Sequence, residues 1–262
     1  AAADLDRLLF LSDALEDKEL IADAHNLLAM LYRSQGHLEQ ANTSAQRALA
    51  ISLELKNEKI NADSLNEISI VWGERGNYPE AISTGYEALR IYQTVNDLRG
   101  EVEALCHLSF YYYRSGHNGE SKDCAQQAVE KAKRMADPFA LGSSLNVLSL
   151  SETDMAVHRD ILQKALENFD LCRAFGRQST MKYNLGLDYL VLGLFVRAGE
   201  YVEQACDFVR ETNNYASLLL YLSFLAWIYL YQNLLEDSFK ALEEIRTLVD
   251  MIGQTDVDVP TY

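Results

Sequence analysis

The sequence predicts an all-α fold: a right-handed superhelical solenoid of antiparallel helix pairs, with about six repeats preceded by a half repeat. Three observations lead there. Gly36, Gly76 and Gly116 stand 40 residues apart, and each closes a stretch with the same order of large and small residues. A period of roughly 20–50 residues marks a stack of identical supersecondary units. The chain holds only three prolines, and two of them, Pro79 and Pro138, fall where a helix would begin. No alternating apolar–polar run reaches the length of a strand.

The elements follow in order. Forty residues before Ile51, Ala48 and Ala45 lie Leu11, Leu8 and Leu5, so residues 4–15 read as a second helix whose first helix is missing. The repeat at 19–57 carries Leu28-Ala29, Tyr32, Gly36, Ala41, Ala45 and Ala48. At 58–97 the same places hold Ile68-Ser69, Trp72, Gly76, Ala81, Gly85 and Ala88. At 98–137 they hold Leu108-Ser109, Tyr112, Gly116, Ser121, Ala125 and Ala128. The repeat at 138–175 keeps Leu145, Leu148 and Lys164-Ala165-Leu166 but lacks the glycine. Ala128 to Ala165 is 37 residues, which implies about three residues deleted at that turn. Residues 176–213 restore the pattern with Leu185-Gly186, Tyr189, Gly193, Ala198, Val202 and Ala205. Residues 214–252 end it with Leu222, Leu225-Ala226, Tyr229 and Asn233, asparagine being the side chain that best tolerates the glycine's conformation. Residues 1–252 thus read as a single array, and 253–262, with Pro260, as a tail or linker.

The pattern has a physical reading. Leu, a small residue and Tyr at offsets of three and four share one face of the first helix, A. Small residues spaced by four and three on the second helix, B, let the two backbones approach to the short end of ~8–10 Å. The glycine ends helix A in a conformation that a Cβ would penalise. The missing first helix, the absence of an initiator Met and the lack of a polar capping helix make the chain read as a segment of a larger protein.

These motifs resemble the tetratricopeptide repeat, in the long subclass of about 40 residues found in sensor regions of large bacterial regulators and in kinesin light chains. The resemblance covers nearly the whole chain. It is specific for fold and nonspecific for function. Beyond the fold it implies only a general role, a non-catalytic scaffold for protein binding within a larger, bacterial signalling or regulatory protein.

Composition excludes several classes. The chain carries 39 Asp and Glu against 23 Lys and Arg, a formal charge of −16. Nucleic acid is disfavoured because phosphate neutralisation needs clustered cations, and an anionic membrane for the same reason. Tyr215 to Tyr231 is uncharged over 17 positions but stays in repeat register, so it reads as a terminal core helix rather than a membrane span. Cys106, Cys124, Cys172 and Cys206 are scattered, as buried thiols of a reducing, cytoplasmic setting would be. They show no metal-ligand spacing. His158-Arg159-Asp160 mimics a kinase catalytic loop, but the phosphate loop and Asp-Phe-Gly that kinase chemistry needs are absent. It reads as the start of a helix. No catalytic residue, cofactor or metal is expected.

What remains is the inner face of the A helices. Carried over by register from the repeats it resembles, the partner-binding set is Asp23, Asn26, Asp63, Asn66, Glu103, Phe110, Tyr113, Asn146, Tyr183, Trp227 and Tyr231. The cationic clamp that some such repeats use for acidic tails is missing, since acids occupy its place at Asp23, Asp63 and Glu103. The expected partner is therefore a basic or amphipathic peptide or domain. Asn26, Asn66 and Asn146 recur at one position, where amides could bond the backbone of an extended peptide. Two alternatives stand beside this. One is a small-molecule sensor for a sugar or metabolite in a transcription activator or cyclase, with Tyr183 and Trp227 as stacking rings. The other is an oligomerisation scaffold, a homo-oligomer formed through the terminal repeats.

Overall fold

The computed structural model describes residues 17–212 and 214–253; the half repeat expected at 4–15 and the tail beyond Gly253 lie outside them. Among the described residues there are twelve helices and no strand. They are α1 (Lys18–Ser34), α2 (Leu38–Leu55), α3 (Glu58–Glu74), α4 (Tyr78–Val95), α5 (Leu98–Arg114), α6 (Asn118–Met135), α7 (Pro138–Leu150), α8 (Met155–Leu171), α9 (Phe175–Val191), α10 (Phe195–Glu211), α11 (Tyr215–Tyr231) and α12 (Leu235–Gly253). The chain divides into two compact units, Ala1–Ser151 and Glu152–Tyr262, and the division falls inside the repeat expected at 138–175.

In the first unit α1 packs on α2, α3 on α4 and α5 on α6. Each hairpin's second helix packs on the next hairpin's first, and α1, α3, α5 and α7 neighbour one another in series. In the second unit α8 packs on α9, α9 on α10, α10 on α11 and α11 on α12.

Local chemistry explains the regularity. Asp17, Asn57, Asp97 and Asp137 precede α1, α3, α5 and α7 at intervals of 40, and each side chain accepts a backbone N–H of the first helical turn. Such caps satisfy donors that a helix start leaves orphaned. The glycines behave as expected: Gly36, Gly76, Gly116 and Gly193 have φ of 72–83°, and Asn233 takes the same place at 60°. The B helices end differently. Lys56, Asn96 and Ala136 adopt left-handed φ of 53–57° without a glycine.

The close helix crossings are made by alanine and serine. Ala41, Ala45, Ala48, Ala81, Ala88, Ala125 and Ala128 are wholly buried. Ser69 Oγ donates to the carbonyl of Ala81 at 2.7 Å, and Ser109 Oγ to that of Ser121 at 2.9 Å. The small residue of helix A therefore ties the start of helix B as well as leaving room for it. Between hairpins, Gly73 admits the ring of Tyr111; a Cβ there would lie 2.2 Å from Tyr111 Cε1.

The degenerate repeat is a correction to the register reading. The shortening falls in the helix: α7 has 13 residues where α1, α3 and α5 have 17. Thr153 and Asp154, which the register would put on a helix face, form the connection instead. Glu152 Oε1 accepts both of their N–H groups, at 2.9 and 3.1 Å, and Asp154 caps α8 through Ala156 and Val157. His158 in the first turns of α8 puts Nδ1 2.8 Å from Asp188 Oδ2 of α9, and Arg159 covers the ring of Tyr189. The kinase-like triplet is thus a helix start with interhelical contacts. No helix among the described residues is long and apolar enough to cross a membrane.

Candidate functional site

The first unit holds eight of the residues singled out above, and α1, α3, α5 and α7 carry them. Asp23, Asp63 and Glu103 gather with Lys59, Asp97 and Tyr92 over the N-terminal halves of α1, α3 and α5. Lys59 Nζ lies 2.5 and 2.7 Å from the two Asp63 oxygens and 3.0 Å from Asp97 Oδ2, over the Tyr92 ring. Tyr92 reaches in from α4 and donates its hydroxyl to Asp63 Oδ1 at 2.8 Å. Asp63 is therefore saturated by its own chain.

Asp23 and Glu103 are not. Both carboxyls are pushed above their ordinary values, first by loss of hydration; the Asp63 charge adds to this in each case, while Lys59 opposes it in both and Arg99 at Glu103. Each would be relieved by one more cation. For Asp97 burial acts upward, yet the Gly100 N–H and Lys59 outweigh it and hold the carboxyl low.

Of the three asparagines, Asn26 meets a neighbouring helix. Asn26 and Asn66 are buried, and Asn26 Oδ1 lies 3.0 Å from Ser64 Oγ of α3. Cys106 and Ser144 pair in the same manner, with Sγ 3.6 Å from Oγ. Asn26 Nδ2 and Asn66 Oδ1 have no hydrogen-bond partner among the described residues. Asn146 is half-buried. Both Asn26 and Asn66 are thus largely withdrawn from solvent.

Phe110 and Tyr113, one turn apart on α5, are exposed. The Arg114 guanidinium lies 5.7 Å from the Phe110 ring and 6.0 Å from that of Tyr78. Next to them an interior ion cluster links α1 and α3, with Arg33 3.0 Å from Glu74 and 3.4 Å from Glu67. Burial pushes Glu67 up to about 7 against the pull of Arg33, with Glu103 and Glu74 adding to the rise. Register reasoning missed Glu67 because it lies one place off the inner-face positions.

The second unit holds the other three. Tyr183 is a core residue whose ring stacks on Tyr221 at 4.3 Å, so no ligand can stack on that face. Trp227 and Tyr231 are exposed, and Tyr231 stacks on Phe195 at 4.9 Å. Beside this pair lies a recess of about 470 Å³ lined by Leu194, Phe195, Val196, Arg197, Gln232 and Leu234. A signal for it stood in the sequence: the turn around Gly193 reads Leu-Gly-Leu-Phe-Val, where that around Gly36 reads Gln-Gly-His-Leu-Glu. No group of three or more His, Cys, Asp or Glu that could hold a metal ion occurs among the described residues.

Comparison with known proteins bears on the fold. Residues 61–97 match the family model of the tetratricopeptide repeat. No curated protein matches the sequence significantly. Among solved structures the chain is similar to BtubC from P. vanneervenii, with TM-score 0.72 and 16% identity over 86% of this chain and 96% of that one. It is also similar to a signal transduction ATPase with numerous domains and a tetratricopeptide repeat sensor from Pyrococcus horikoshii (TM-score 0.68, 16% identity, 92% of this chain and 38% of that one). A third is a Rap protein complexed with competence and sporulation factor (TM-score 0.63, 12% identity, 90% and 76%). Identities this low speak for the fold alone.

Proposed function

We propose, for a chain whose helices pair and stack as tetratricopeptide repeats do, a non-catalytic interaction module whose first unit holds a cationic, amphipathic segment of another protein. The observation that carries this is the juxtaposition on α1, α3 and α5. Two carboxylates that lack a saturating cation, Asp23 and Glu103, flank the satisfied Lys59–Asp63–Asp97 cluster. The exposed rings of Phe110 and Tyr113 lie two to three turns further along α5. A lysine or arginine would lower the cost of the crowded acids, and apolar side chains of the same segment would cover the rings. The similarity to a Rap protein solved with competence and sporulation factor, and to an ATPase with a repeat sensor, supports a receptor role within a regulatory protein. The closed face of Tyr183 leaves the sugar-stacking alternative without support from that ring.

The test uses fluorescent amphipathic helical peptides of about 15 residues, rich in Lys and Arg, with Glu-substituted counterparts as controls. Binding should be confined to the cationic set. It should weaken with salt as exposed charges are screened, and it should fail as pH falls through the raised pKa values of Asp23 and Glu103, because only the ionised carboxylates hold the cation. The double variant Asp23→Asn, Glu103→Gln should lose ~10-fold in affinity, about 1.4 kcal/mol. Equal binding of cationic and anionic peptides, or an unchanged affinity in the double variant, would refute the assignment.

A further inference from the structure

The last helix carries an apolar seam that nothing among the described residues covers. Leu235, Phe239, Leu242, Arg246 and Val249 follow one another at spacings of four, three, four and three along α12. This is the 3.5-residue period of a helix meeting another helix along its length. An internal control shows what the stripe does elsewhere in the second unit. Forty residues earlier, α10 presents Phe195, Gly199, Val202, Cys206 and Val209 at the same positions; α11 meets Phe195 through Tyr231 and Gly199 through Ile228, while Val202 lies against Gly186 of α9. Val202 is 0% exposed and Val209 3%, while Gly199 lies so close to α11 that an added Cβ would stand 3.2 Å from Gln232 Nε2. On α12 the corresponding Phe239 is 66% exposed and Val249 53%. Contiguous apolar surface of this kind is a docking surface or a liability.

We propose that this seam is a self-association surface, in which α12 of a second copy of this chain packs antiparallel against it across a two-fold axis. The charge pattern selects both the occupant and the direction. Arg246 is the single cation within the seam, and Glu243 lies beside it on the same helix. A parallel two-fold pairing would set Arg246 on its own copy, a like-charge contact. An antiparallel pairing with the axis near Glu244 sets Phe239 beside Val249 of the second copy. It also lets Arg246 of each helix reach Glu243 of the other, twice per interface. A two-fold interface must be complementary to itself, and this stripe is. Glu244 is already held by Arg210 at 2.8 Å and does not compete. The proposal is independent of the cationic-peptide reading, whose residues lie in the first unit.

Sedimentation velocity across the micromolar range tests it. The wild-type chain should show a monomer–dimer equilibrium. Leu242→Glu should raise the dissociation constant at least ~30-fold, the effect of a central interface residue, with helix content by circular dichroism unchanged because the side chain is half exposed. Arg246→Glu should weaken the dimer, and the double variant Glu243→Arg, Arg246→Glu should restore it, a rescue that a merely destabilised helix would not show. Retention of peptide binding in Leu242→Glu separates this failure from that of the groove. A wild-type monomer at ~200 μM, far above the range of a specific dimer, would overturn the proposal. So would a dimer indifferent to Leu242→Glu, or a charge swap without rescue.

Discussion

Glu67 offers the sharpest test of the interior electrostatics. Its side chain is about one-tenth exposed, 3.4 Å from the Arg33 guanidinium, and Glu74 holds the same guanidinium more closely at 3.0 Å. Arg33 is kept charged by both acids, although burial opposes it. Glu67, on the longer contact, does not recover its hydration and is pushed from 4.5 up to about 7. A carboxyl whose folded pKa is raised binds more protons folded than unfolded between those values. Its contribution therefore favours the fold below the unfolded pKa and is lost as pH rises toward the folded one. At 1.36 kcal/mol per pH unit the full loss is ~3 kcal/mol. Glutamine has the shape of the protonated acid, so Glu67→Gln should be near neutral at pH 4.5. At pH 8 it should be more stable than wild type by ~2–3 kcal/mol, which for a unit of this size raises Tm by ~5–10 °C. Thermal unfolding of both proteins by circular dichroism at the two pH values decides it. A variant less stable than wild type at pH 8 would show that the ion pair with Arg33 outweighs burial, and the reasoning would fail.

Two further outcomes test the packing and the turns. Ala136 ends α6 at φ 53°, where a Cβ is penalised and glycine is not, so Ala136→Gly should raise stability by ~1 kcal/mol in urea unfolding; no gain would mean that the left-handed cap is not populated. Ala88 is wholly buried in the core shared by α3, α4 and α5, so Ala88→Leu should overpack it at a cost of ~1–3 kcal/mol. Thermal melts unchanged by this variant would contradict the close hairpin crossing.

Much of the fold was legible because its determinants are local. Gly36, Gly76, Gly116 and Gly193 occupy left-handed turns where the spacing put them, and Asn233 substitutes as its chemistry allows. Pro138 starts a helix as expected, with Asp137 as its cap. The matching caps Asp17, Asn57 and Asp97 were equally visible at the same 40-residue interval and strengthen the register. The shortened helix α7 was less legible, since a deletion is seen in a sequence as a phase change and not as a place. For the candidate site, register assigned a face, while openness depends on the neighbour. Asn26 and Asp63 share a helix type and differ by one repeat and three positions, yet one is buried beside Ser64 and the other is tied to Lys59 and Tyr92.

The order of helices, the glycine turns and the small-residue crossings were thus determined by the sequence alone, because each rests on residues within one hairpin. Which acids remain open to a cation, which rings are covered, and which helix face lacks a neighbour were decided only by the tertiary structure. Ser64 stands 38 residues from Asn26 and Tyr92 29 residues from Asp63. Tyr221 lies across two helices from Tyr183. Such contacts arise when separate hairpins stack, and solvation, which sets both the pKa of Glu67 and the exposure of Phe239, follows from that stacking.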